Sequence, residues 1–71
     1  MAKQQSISRG QRFRDVQVGS FGQPGPEWIV DGIFIGTDGL TYAYLVSGRD
    51  STQRKTLSLD ILGDRHRFVE V

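Results

Sequence analysis

The sequence predicts a small all-β domain, and three observations carry that reading. Trp28 to Ile35 and Leu40 to Val46 are two runs rich in β-branched and aromatic residues. Between them lies Gly36-Thr37-Asp38-Gly39, and an Asp-Gly pair flanked by such runs is the strongest short-range hairpin signal. The remaining apolar residues fall in short alternating runs broken by Gly, Pro and Asp.

Residues 1–10 are polar around a single isoleucine and read as a flexible tail, because they bury too little apolar surface to offset ordering. Residues 11–71 form the domain. The first strand spans Gln11 to Val16, with Phe13 alternating with Arg12 and Arg14, and Val18 as a possible extension. Residues 19–26 form a loop, since Pro24 and Pro26 remove ladder donors and glycine is costly in a strand. Phe21 is its one large apolar residue and is placed to cap an open end of the core.

Glu27 to Ile35 is the second strand. Simple alternation puts Ile29, Ile33 and Ile35 on one face and Trp28, Val30 and Phe34 on the other. A strand apolar on both faces is central or bends, and Gly32 suits a bulge or bend. Leu40 to Ser47 is the third strand and Arg54 to Leu59 the fourth, with Leu57 and Leu59 facing inward. Asp60 to Asp64 is read as one 3₁₀ turn, capped by Asp60 and ended by Gly63. Arg67 to Val71 is the fifth strand. The expected core is Phe13, Val16, Ile33, Ile35, Ala43, Leu45, Leu57, Leu59, Leu62 and Val69.

The chain of 71 residues is one domain near the lower limit for an independent core. It has no cysteine and one histidine, so disulfides are excluded and no cofactor or metal is expected; self-association stays open as a source of stability. The absence of cysteine, of a signal-like segment and of an apolar run of about 20 residues reads as soluble and cytoplasmic, with no membrane partner. Nine basic against eight acidic residues leave a net charge of +1, well short of a dedicated nucleic-acid binder.

Five strands, with a long first connection, two hairpins and a single helical turn before the last strand, resemble an SH3-like small β-barrel of the Tudor and KOW type. The resemblance covers about residues 11–71 and is architectural. At sequence level Gly10-Gln11-Arg12-Phe13-Arg14-Asp15, Phe34-Ile35-Gly36-Thr37-Asp38-Gly39 and Lys55-Thr56-Leu57-Ser58 are similar to short uncharacterised bacterial proteins. No ligand motif of the Tudor or KOW type is matched, and a shared barrel transfers no function. The resemblance implies that the first and last strands are neighbours.

Catalysis finds little footing. Ser58, His66 and Asp60 or Asp64 supply the residue types of a nucleophilic triad, but no Gly-x-Ser-x-Gly elbow presents the serine. His66 between two arginines reads as a surface residue, Asp38 as a turn residue and Asp60 as a helix cap. The glycines at 19–25 lack both the Gly-Lys-Ser/Thr ending of a phosphate loop and a following helix. The expectation is a protein that is not an enzyme and has no small-molecule substrate.

Binding is better supported. Tyr42 and Tyr44 point away from Ala43 and Leu45, with Trp28 and Arg54 as neighbours; these four are the candidate partner-binding residues. Aromatics beside arginine recur at the hot spots of protein interfaces, so the expected partner is another protein or a second copy. The tyrosines could instead cover the second sheet face beneath the 19–26 loop. The alternative is nucleic acid, with the same aromatics stacking bases and Arg9, Arg12, Arg14 and Arg67 contacting phosphates.

Overall fold

The computed structural model describes residues 7–16 and 25–71. The expectations for residues 1–6, Val18, Phe21 and most of the first loop lie outside them. Five antiparallel strands form one sheet: β1 (Arg12–Asp15), β2 (Glu27–Ile35), β3 (Thr41–Ser47), β4 (Arg54–Ser58) and β5 (Phe68–Glu70). The order is β4-β3-β2-β1-β5, so the first and last strands do pair. The sheet is open, with β4 and β5 as its edges, and the expected barrel closure is not seen.

Each connection has a local cause. Between β2 and β3, the Gly39 N–H donates to Gly36 O at 3.0 Å and the Leu40 N–H to Asp38 Oδ1 at 3.0 Å. Gly39 sits at φ +84°, a left-handed conformation that glycine adopts without strain. Between β3 and β4, Asp50 Oδ1 accepts from the Thr52 hydroxyl at 2.7 Å and the Thr52 N–H at 3.0 Å. These bonds hold the Asp50 carboxyl below its ordinary range. The turn expected at 60–64 is instead an α-helical turn, α1 (Leu59–Leu62). Its cap is Ser58, whose Oγ accepts from the Ile61 N–H at 3.4 Å, while Asp60 lies inside the first turn. The shift follows from chain direction: β4 ends at Ser58, so its hydroxyl is first to reach the unpaired N–H groups.

The register of β2 against β3 decides the faces. Val30 pairs with Leu45 and Gly32 with Tyr44, leaving Asp31 as the extra residue of a bulge. Trp28 and Val30 therefore share the core face with Ser47 and Leu45, and after the bulge Ile33 and Ile35 share that face with Ala43 and Thr41. The buried core is Phe13, Trp28, Val30, Ala43, Leu45, Leu62 and Phe68, with Ile7, Leu57, Leu59 and Ile61 packed against it.

Phe13, Ala43, Leu45 and Leu62 are buried as expected. Four expected core residues are not: Val16, Ile33, Ile35 and Val69 are 45%, 40%, 74% and 46% exposed. Val16 lies past the end of β1. Ile33 and Ile35 face the core side toward the hairpin, Ile33 beside buried Ala43 and Ile35 beside Thr41, yet both remain exposed. In β5 it is Phe68, paired with Asp15, that turns inward, so Val69 turns out. Trp28 and Val30, expected on the outer face, lie inside.

Ile7, in the expected tail, packs on the core, and the Gly10 N–H donates to Val30 O at 2.8 Å. No helix among the described residues is long and apolar enough to cross a membrane.

Two substitutions test this placement. Leu45→Ala leaves a cavity in the cluster and is expected to cost about 2–5 kcal/mol. Ile35→Ala removes an exposed side chain and is expected to change stability by about 0.5 kcal/mol or less. Urea denaturation followed by Trp28 fluorescence measures both.

Candidate functional site

The outer face of the sheet is a grid of cross-strand rows. One row runs Arg12, Ile29, Val46, Arg54 across four strands. The next runs Gly32, Tyr44, Thr56, and the third Phe34, Tyr42, Ser58. The aromatics of the last two rows form one stack. The Phe34 ring lies 5.5 Å from Tyr42 at 20° and 4.5 Å from Tyr44 at 23°. Offset-stacked pairs of this kind are worth about 0.5–1.5 kcal/mol each beyond their buried area.

One glycine makes room for a ring of the stack, and another lies in ordinary contact with a second. A Cβ on Gly32 would meet Tyr44 Cδ2 at 3.4 Å, an ordinary van der Waals contact. A Cβ on Gly36 would meet Tyr42 Cε1 at 2.7 Å and Asp38 Oδ1 at 2.9 Å, closer than atoms can approach. The Tyr42 hydroxyl donates to Asp38 Oδ2. That bond, helped by the Leu40 N–H, holds the Asp38 carboxyl below its ordinary range. The same bond pushes the Tyr42 phenol above its ordinary value of 10.0. Asp38 thus shapes the turn and anchors a ring of the stack.

Tyr44 is 50% exposed at the edge of a shallow depression of about 310 Å³ lined by residues 44–46 and 54–56. Arg54 lies on this outer face, 3.8 Å from Asp31. Tyr42, Tyr44 and Arg54 are therefore brought together. Trp28 is not among them, since it sits on the other side of the sheet. Its place in the stripe is taken by Phe34, which the bulge turns outward.

The arginines do not gather into one patch. Arg9 is exposed in the turn before β1. Arg12 and Arg14 lie on the outer face but share Glu27, at 3.9 Å and 2.7 Å. Arg67 turns toward the core side, with its guanidinium 5.6 Å from the Phe68 ring.

Lys55 holds a position that sequence reasoning missed, although it has the same parity as inward-facing Leu57. Its ammonium lies 4.3 Å from the Trp28 ring centroid and 5.5 Å from Phe68, forming a cationic roof over the core. Burial lowers its pKa, nearby Asp15 opposes that shift and Arg67 adds to it. The residues considered for catalysis hold local structure. Ser58 caps α1, and Asp64 Oδ1 accepts the His66 N–H at 2.9 Å.

No family model matches the chain, and neither a curated protein nor a solved structure matches it.

The Tyr42–Asp38 bond sets a pH window. Its stabilising effect is present above the ordinary carboxylate pKa and is lost as pH falls through the lowered pKa of Asp38. At the other end it is present below the ordinary phenol pKa and is lost as pH rises through the raised pKa of Tyr42. Phenolate absorbance should show Tyr42 ionising above its ordinary value of 10.0, and Asp38→Asn should remove that displacement. An unchanged Tyr42 transition in the variant would contradict the assignment.

Proposed function

We propose that this chain is a small non-catalytic interaction module that binds a protein partner through the outer face of its sheet. We infer an SH3-like barrel as its architecture. The pairing of β1 with β5, the long first connection and the single helical turn before the last strand support that kinship.

One observation carries the functional reading. The Phe34–Tyr42–Tyr44 stack lies on a face that none of the described elements covers, with Arg12 and Arg54 at its margin. Arg12 and Arg54 keep 59% and 66% of their side-chain surface exposed. Tyrosine and arginine are the residue types that dominate interface energetics. Rings already held by stacking and by Asp38 lose little rotamer freedom when a partner arrives, which favours affinity. The core does not need these rings, because Trp28, Phe13 and Phe68 fill it from the other side. A cysteine-free chain suits a cytoplasmic setting.

Half-exposed Tyr44 beside Arg54 also suits the stacking of an unpaired base, which keeps nucleic acid as the second reading. Against it, the Glu27 carboxylate offsets one of the two charges of Arg12 and Arg14, and the chain carries a net charge of only +1.

Affinity capture with variants separates these readings. A partner retained by the immobilised protein should be lost with Tyr44→Asp and with Arg54→Asp. It should persist with Ile35→Asp on the opposite face. In a parallel amide-shift titration with single-stranded RNA and DNA, shifts at residues 42–44 and 54–56 that fade with salt would replace the protein reading with the nucleic-acid one.

A further inference from the structure

The outer face is charged unevenly along its strands. At one end Arg12, Arg14 and Arg54 outnumber Glu27 and Asp31. At the other end Asp38 stands at the tip of the β2–β3 hairpin, where its carboxylate takes the Tyr42 hydroxyl. Between the ends lie Tyr44, Phe34 and Tyr42, with Ile29 and Val46 in the row flanked by Arg12 and Arg54 and Asp31 bulged between that row and Tyr44. From the row of Val46 to the row of Tyr42 is four residues of strand, or about 13 Å.

We propose that this face binds a second copy of the same chain, packed sheet on sheet about a two-fold axis that runs across the strands. The proposal rests on the protein-binding reading above and names its partner. Such an axis reverses the strand direction of the second copy. It sets the arginine end of each chain over the Asp38 end of the other, so both rims are matched by one operation. The opposite arrangement, with strands parallel, would oppose arginine to arginine.

Three further observations favour this occupant. The arginine ion pairs at the rim are long, 3.8 Å for Arg54–Asp31 and 3.9 Å for Arg12–Glu27, so both guanidiniums have capacity for another carboxylate. The central field bears aromatics and β-branched residues, which interdigitate well when two sheets stack about 10 Å apart. The chain itself is short and its described core contains only seven buried apolar residues, the size range in which association commonly adds stability.

The expected strength follows from size. A field two strands wide and about 13 Å long is far smaller than the roughly 800 Å² per partner of a standard interface. The dimer is accordingly weak, with a dissociation constant on the order of 100 μM.

Sedimentation equilibrium of the full chain from about 5 μM to about 1 mM tests the proposal, spanning the expected dissociation constant. A monomer–dimer equilibrium that weakens with added salt is expected. Tyr44→Glu should raise the dissociation constant at least about tenfold. The double variant Arg12→Glu, Arg54→Glu should raise it as well, because each rim then opposes acid to acid. Ile35→Glu, on the opposite face, should leave it unchanged, and circular dichroism verifies that each variant is folded.

A monomer throughout the range overturns the proposal; if Tyr44-dependent capture persists, the protein-binding reading survives it. A dimer broken by Ile35→Glu but not by Tyr44→Glu overturns the proposal and places association on the other face. A Tyr44-dependent dimer indifferent to salt and to arginine reversal overturns the antiparallel arrangement while leaving the face as the binding surface.

Discussion

One extra residue in β2 organises the molecule. Strict alternation over nine residues would put Trp28 and Val30 on one side and Ile33 and Ile35 on the other. The bulge at Asp31 inserts a half-period, so all four lie on the same side of the sheet. Trp28 and Val30 then meet Leu45, Phe13 and Phe68 in the core, and Phe34 turns outward to lie between Tyr42 and Tyr44. Without the bulge, Phe34 would compete for core space and the outer stack would lose its middle ring. Core and stack are two consequences of one register shift.

The same shift explains how so small a core is closed. Turning Trp28 inward places its indole beneath Lys55, whose aliphatic stem covers apolar surface while the ammonium rests on the ring. Burial makes that ammonium easier to deprotonate, but buried Asp15, opposite Phe68 on β1, favours the charged form. Asp15 thus offsets part of the cost of burying the ammonium, while Arg67 adds to it. At the far end of the sheet, Ser58 starts α1 as β4 ends, which brings Leu62 into the core within one helical turn. Neither closure requires a disulfide.

Much of this was legible in the sequence, and the failures share a cause. Strand positions followed from composition, and the β2 boundaries were those expected, because glycine, proline and aspartate punctuate the chain where ladders stop. Gly32 was legible as a bend or bulge. What alternation could not show is which neighbour becomes the unpaired residue, since that depends on the register with β3, a tertiary property. The error then propagated: Trp28 was expected outside with Tyr44, and Ile33 was expected buried. Val69 and Phe68 were exchanged for a related reason, because a three-residue strand offers too little pattern to choose its inward parity. In the candidate site, Tyr42, Tyr44 and Arg54 were found by alternation along unbroken strands. The link from Asp38 to the Tyr42 hydroxyl was not, because the turn role of Asp38 already accounted for its presence.

The two glycines beside the outer stack constrain it to different degrees. Gly32 lies within a strand, where glycine is less favourable than alanine by about 0.5–1 kcal/mol. A Cβ there would meet Tyr44 at 3.4 Å, an ordinary van der Waals contact. At Gly36 the constraint is sharper, since a methyl group would sit 2.7 Å from Tyr42 Cε1 and 2.9 Å from Asp38 Oδ1. Backbone is cleared for the Tyr42 ring, and its hydroxyl is tied to the Asp38 carboxylate. The stack adds nothing to the core, which lies across the sheet. Its rings are nonetheless held by stacking, by backbone clearance and by a hydrogen bond. Flat rings are thus held in place at the outer face by contacts that owe nothing to the core.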